Sequence, residues 1–291
     1  MLKAINPLNR ELIQEYAEHS LVEVSQYLEN AHQQFLLWRN FSFEERATIL
    51  KKVARVLGDR AEELSRLMAK EMGKPLIEGR KEIEKCARVC EYYGENAQNF
   101  LTPEIIKTEA VKSFVTFQPL GVILAVMPWN FPFWQVFRFA APVLMAGNAA
   151  VLKHASNVPG CALAIESIFQ EAGLPEGLFK TLMIGSEKVN SVLENPRVCG
   201  VALTGSTPAG RLVAAKAGAL LKKTVLELGG SDPYVILEDA DIEAAAKLSV
   251  ASRLINAGQS CIAAKRFVVV ENVLPEFEKW VVAEMSRRKM G

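Results

Sequence analysis

Apolar residues recur at helical spacing through the first third of the chain. Tyr27, Leu28, Ala31 and Phe35 follow Ser20-x-x-Glu23, and Ile49, Leu50, Val53 and Leu57 follow Ser42-x-x-Glu45. A hydroxyl three residues ahead of a glutamate caps a helix N-terminus reciprocally, so the pattern predicts two amphipathic helices, the second broken at Gly73 and Pro75. A third helix is predicted over 77–99, with Cys86 and Cys90 one turn apart on one face as small buried residues.

Over 111–117 the residues turn β-branched and aromatic, and Pro119-Leu120-Gly121 separates them from an apolar strand over 122–127. Short apolar strands then alternate with helices. Strand 149–152 leads to helix 160–172, a strand near 181–183 to a helix near 189–193, strand 201–203 to helix 208–219, and a strand over 224–228 closes the series. This alternation predicts an α/β fold with a Rossmann-like, doubly wound parallel sheet, covered on both faces and binding ligands at the carboxyl ends of its strands. After Gly229-Gly230-Ser231-Asp232-Pro233 a second unit begins, with strands over 234–237 and 266–270 and helices over 241–256 and 275–287. One β-α-β-α unit is too small for a self-sufficient domain, so it either docks on the first or is incomplete.

Charge narrows the partners. Lys and Arg (34) nearly cancel Asp and Glu (33) for a net charge of +1, so no long-range field draws in nucleic acid or an anionic membrane. The longest apolar stretches, 122–127 and 140–146, are short for a bilayer, and the N-terminus carries no apolar signal segment; a cytoplasmic enzyme is expected. Five cysteines without a CxxC pair, and only His19, His32 and His154, argue against a disulfide framework, a metal site or a His-based triad.

Four segments carry candidate chemistry. Residues 127–134 crowd two prolines, four large aromatics and Asn130 at a strand end, either as an aromatic plug or as a rigid mount for a functional amide. Gly258-Gln259-Ser260-Cys261 follows a helix and holds a thiol that is either a small buried residue or a nucleophile. Glu227 ends an apolar strand, either desolvated and suited to general-base work or simply exposed. Gly205-Ser206-Thr207-Pro208-Ala209-Gly210 joins a strand to a helix whose N-terminal amides can hold a phosphate, but Arg211 and Leu212 stand where a P-loop needs Lys and Ser or Thr.

Taken in order, 128–132, 147–153, 204–206, 227–230 and 258–261 resemble the P-W-N-[FY]-P, G-N-x-x-x-x-K, T-G-S, E-L-G-G and G-Q-x-C motifs of the aldehyde dehydrogenase superfamily. The resemblance extends along the whole chain. Residues 79–84, 153–156 and 228–233 look most like the bacterial succinate-semialdehyde dehydrogenase (NAD(P)) branch.

The resemblance implies a cofactor-binding domain over 1–105 and 125–226 with a helical N-terminal part, an oligomerisation hairpin over 106–124 and the start of a catalytic domain over 227–291. It implies NAD(P)-dependent oxidation of an aldehyde, succinate semialdehyde by the branch, in a homo-oligomer. Cys261 would attack, Asn130 and the Cys261 N–H would hold the oxyanion, and Glu227 would activate the hydrolytic water. Trp129 and Asn130 would lie near the nicotinamide, Lys153 on the adenosine ribose, Gly205 and Ser206 at the pyrophosphate, and Leu228 beside the nicotinamide. Ser156 stands where strictly NAD-using relatives often carry Glu, so NADP is expected to be tolerated or preferred.

Arg138 matches an arginine that pairs with the distal carboxylate of succinate semialdehyde, with a helix-surface arginine as the alternative. Phe139 replaces a Lys of many relatives, and Ile255 replaces a second carboxylate-binding arginine. Family members continue well beyond Lys289-Met290-Gly291, so the chain reads as C-terminally truncated, with little or no activity by itself. The rival readings are a folded, non-catalytic nucleotide-binding or interaction module and, disfavoured by Arg211 and Leu212, a P-loop NTPase.

Overall fold

The computed structural model describes residues 1–289 and divides after Glu227 into two compact units. The first opens with an antiparallel pair, β1 (Leu2–Ile5) and β2 (Leu12–Tyr16), which lies outside the expectations because β2 is exposed along most of its length and shows no apolar alternation. Helices α1 (Leu21–Trp38) and α2 (Phe43–Asp59) carry the expected reciprocal caps. Ser20 Oγ and Ser42 Oγ accept from the amides of Glu23 and Glu45 at 3.2 Å each, and the glutamates accept from the cap amides. Leu28, Ala31 and Phe35 on one helix, and Leu50, Val53 and Leu57 on the other, form the buried faces.

The second expected helix is in fact two. The chain breaks at Arg60 (φ −98°, ψ 8°) before α3 (Ala61–Met72), and the Arg60 guanidinium pairs with Glu63 at 2.8 Å and Glu171 at 3.4 Å. Periodicity cannot see this break, because buried Leu57 and Leu64 lie two turns apart and keep the same helical phase across it. Gly73 then ends α3 at a φ of 74°, which a residue without Cβ adopts at no steric cost. Pro75 leads into α4 (Leu76–Phe100), where Cys86 and Cys90 are fully buried. A short exposed pair, β3 (Glu104–Ile105) and β4 (Phe114–Val115), follows.

The expected alternation occupies the rest of the unit as β5 (Val122–Met127), α5 (Trp134–Met145), β6 (Ala149–His154), α6 (Pro159–Glu171), β7 (Phe179–Thr181), α7 (Val189–Glu194), β8 (Val198–Thr204), α8 (Thr207–Ala219) and β9 (Lys223–Glu227). The five strands form one parallel sheet in the order β7-β6-β5-β8-β9. The order runs from β5 through β6 to β7 and then reverses through β8 to β9, so the topological switch point lies between β5 and β8. Every residue of β6 is buried, which requires cover on both faces. Helix α5 is not among the expected helices, and it contains Pro142, a residue that usually ends or kinks a helix.

In the second unit β10 (Pro233–Ile236) and β11 (Arg266–Val269) pair in parallel, with α9 (Ile242–Arg253) and α10 (Leu274–Ser286) packed around Ile236, Ala246 and Phe277. Helix α9 ends earlier than expected because Asn256, Ala257 and Gly258 take φ values of 55°, 52° and 80°, a left-handed turn that a right-handed helix cannot enter. Among the described residues no helix is long and apolar enough to cross a membrane, and no group of three or more His, Cys, Asp or Glu is placed to hold a metal ion.

Candidate active site

Strand register assembles the first unit's candidates. Val126 of β5 is level with Leu203 of β8 and with Lys153 of β6, and Thr204 is level with Glu227 of β9. Trp129 and Asn130, Lys153, Gly205 and Ser206, and Glu227 therefore leave the sheet along one edge, at the carboxyl ends where such sheets bind ligands.

Asn130 is half-buried, and its backbone carbonyl accepts from Lys74 Nζ at 3.0 Å. Trp129 is 38% exposed beside it. His154, buried at the end of β6, donates from Nε2 to the Pro132 carbonyl at 2.9 Å, while its Nδ1 accepts from the Ala155 amide at 2.8 Å. A carbonyl can only accept, so this partner fixes the Nε2–H tautomer. Burial pushes the His154 pKa down to about 4.

Lys153 is only 8% exposed, and among the described residues no hydrogen bond or ion pair holds its ammonium. Burial lowers its pKa, with the Glu187 carboxylate pulling the other way. A buried ammonium in this condition suits an anionic ligand. Ser156, exposed on the turn after β6, adds a hydroxyl where a carboxylate would repel one.

The Gly205 amide is engaged within the sheet. It donates to the Glu227 carbonyl at 3.0 Å, extending the β8–β9 pairing, and so is not available to a pyrophosphate. Ser206 caps α8, accepting from the Ala209 amide at 3.4 Å, and Pro208 has no N–H. The Ser206 and Thr207 amides are the remaining donors at this helix start.

The Glu227 side chain is 58% accessible. Arg138 of α5 places Nη1 at 3.6 Å from Glu227 Oε2, and its Nη2 donates to Thr204 Oγ1 at 3.4 Å. These three, with Met127, Phe139 and Val225, line a mainly apolar cavity of about 450 Å³.

Cys261 and Leu228 belong to the second unit. Cys261 is exposed, not the small buried residue of the alternative reading, and Leu228 is 36% exposed. Lys265 Nζ donates to the carbonyls of Cys261 at 2.9 Å and Gly230 at 2.6 Å, and Arg266 Nε donates to the Ser231 carbonyl at 2.8 Å. The cysteine loop is thus tied to the segment that follows Leu228.

Sequence reasoning singled out neither Lys74 nor Glu82, which stand behind the 130–134 loop. The available signal was the place of Glu82 on the buried stripe of α4, beside Gly79, Ile83 and Cys86.

Residues 1–291 match the aldehyde dehydrogenase family. A probable succinate-semialdehyde dehydrogenase (NADP(+)) of Synechocystis sp. is 50% identical over 290 residues, and succinate-semialdehyde dehydrogenase (NADP(+)) 1 of Mycobacterium bovis is 45% identical over 293, each alignment covering 100% of this chain and 64% of the relative. The succinic semialdehyde dehydrogenase of Streptococcus pyogenes, solved in complex with NADP+, superimposes with a TM-score of 0.97 at 37% identity, covering 100% of this chain and 64% of that one. This chain therefore spans a little under two thirds of the length of these relatives. With the motif order, the sheet and the full-length match in agreement, the chain belongs to the aldehyde dehydrogenase family.

Proposed function

We propose that this chain carries the cofactor site and the catalytic groups of an NADP-accepting dehydrogenase that oxidises succinate semialdehyde to the acid. The observation that carries the reading is the placement of Arg138 and Glu227 together at the carboxyl ends of β8 and β9, a guanidinium for a substrate carboxylate beside a candidate base. The names of the relatives support the substrate and the cofactor.

In this reading the Cys261 thiolate attacks the aldehyde carbon, and the Asn130 side-chain amide with the Cys261 N–H stabilises the oxyanion. Bound NAD(P) supplies the hydride acceptor. Glu227 takes a proton from the water that hydrolyses the Cys261 thioester. Arg138 exchanges Glu227 for the distal carboxylate of the substrate. Lys153 and Ser156 hold the adenosine ribose and its phosphate, the Ser206 and Thr207 amides hold the pyrophosphate with Gly205 allowing close approach, and Trp129 and Leu228 flank the nicotinamide. Residues 1–105 and 125–226 serve the cofactor, 106–124 pairs with a second copy, and 227–291 brings the nucleophile.

Titrating the chain with NADPH and following nucleotide fluorescence tests the cofactor site. Adding succinate semialdehyde and NADP+ and following the absorbance of the reduced cofactor tests catalysis, which Cys261→Ala must abolish. NADPH binding without turnover is the outcome expected if this chain has little or no activity by itself, whereas turnover that persists in Cys261→Ala overturns the catalytic part.

A further inference from the structure

The most enclosed ion pair of the first unit lies behind the loop that carries Asn130. Lys74 Nζ and Glu82 Oε2 are 2.6 Å apart, with side chains 0% and 2% exposed. A pair buried this deeply adds little stability over an apolar alternative, so its use lies in what else the two groups hold. Lys74 Nζ donates to the Asn130 carbonyl at 3.0 Å and lies 4.0 Å from the centre of the Phe131 ring. Glu82 Oε1 accepts from the amides of Phe133 and Trp134 at 2.9 Å each, donors that the start of α5 leaves without intrahelical partners. His154 holds the Pro132 carbonyl between them at 2.9 Å.

Four backbone groups within residues 130–134 are therefore gripped by three side chains from the α3–α4 junction, α4 and β6. We propose that Lys74, Glu82 and His154 are positioning residues that lock this backbone so that the Asn130 amide meets the reacting oxygen in one orientation, a role that rests on the oxyanion function proposed for Asn130. The pair is what makes the lock a unit. One oxygen of Glu82 holds the helix start and the other holds Lys74, whose further protons reach Asn130, so movement of the N-terminus of α5 is transmitted to the amide.

The test uses the full chain with asparagine labelled by 15N, the Asn130 side-chain signal being assigned by its loss in Asn130→Asp. Lys74→Met/Glu82→Gln removes both charges while keeping volume and an acceptor oxygen for the start of α5. The expected result is a mobile Asn130 side-chain amide, exchanging with water about tenfold faster or more, while the β5 and β6 backbone amides, followed in a second, uniformly 15N-labelled sample, keep their protection. Glu82→Gln alone, which is isosteric, gives the same comparison should the double variant not fold. An Asn130 amide as ordered as in the parent overturns the lock, whether or not the chain turns over aldehyde. Where the parent does turn over, kcat is expected to fall about tenfold to a hundredfold with NADPH affinity changed by less than about twofold. An unchanged kcat, or a loss of nucleotide binding in its place, overturns the positioning role. Where the parent shows no turnover, the exchange of the Asn130 amide alone decides the lock.

Discussion

Arg138 Nη1 stands 3.6 Å from Glu227 Oε2, so a side chain of α5 reaches the carboxyl end of the edge strand β9. The contact is half-exposed and off bidentate geometry, which limits it to about 1 kcal/mol or less. A contact that weak is readily exchanged for a substrate carboxylate. Arg138→Met is expected to raise the KM for succinate semialdehyde roughly tenfold to a hundredfold, the worth of one or two charge-assisted hydrogen bonds, with little change for an uncharged aldehyde of similar length. Steady-state kinetics on the two aldehydes decide it. An equal loss on both would assign Arg138 to holding Glu227 and not to the substrate.

Glu227→Gln keeps the shape of the strand end and removes the carboxylate proposed as the base. Steady-state turnover is expected to fall by about 10²- to 10⁴-fold, the usual weight of general-base catalysis, with NADPH affinity retained. Fluorescence titration beside turnover on the same preparation checks both halves.

Ser156→Glu places a carboxylate on the turn after buried Lys153. Like-charge repulsion of a 2′-phosphate is expected to weaken NADPH binding roughly tenfold or more and to leave NADH binding nearly unchanged. The ratio of the two dissociation constants is the measurement. A ratio that does not move would remove Ser156 from the cofactor site.

Stability should fall on acidification through a histidine. His154 is held neutral, its pKa pushed from an ordinary 6.5 down to about 4 by burial, so the unfolded chain binds a proton that the native chain refuses. The contribution is fully present above pH 6.5 and is lost as pH falls from there through about 4, at up to about 1.4 kcal/mol per pH unit. Urea denaturation midpoints between pH 7 and 4.5 should show this loss, with a flatter profile in His154→Gln. Glu18, whose pKa the N-terminal ammonium and Lys188 hold down at about 2, acts only in a lower window.

Much of the fold was legible locally. Six apolar residues between Gly121 and Pro128 read as a doubly buried strand, and β5 has those bounds. The two capping boxes announce α1 and α2 because the cap chemistry lies within four residues of chain. The break at Arg60 was not legible, since the apolar phase continues through it. The pair β1–β2 was not legible either, since β2 owes its form to its neighbour and not to its own pattern.

The site divides in the same way. Asn130, Glu227 and Cys261 could each be named from strand ends, turns and motif order, but each carried a second reading that local chemistry did not decide. Glu227 is exposed on β9, none of whose residues is buried, while β7 at the opposite edge is largely buried, so cover of the sheet faces decides exposure. The Gly205 amide is taken by the Glu227 carbonyl because β8 and β9 pair, and Glu82 is paired because α4 packs against the start of α5. The sequence by itself determined the kinds of elements, their order and the chemical groups at their ends, because periodicity and turn chemistry act over a few residues. Tertiary structure alone decided which of those groups share an edge, which counter-charge each one meets and how much water reaches it, because these depend on strand order and helix packing, which no local pattern encodes.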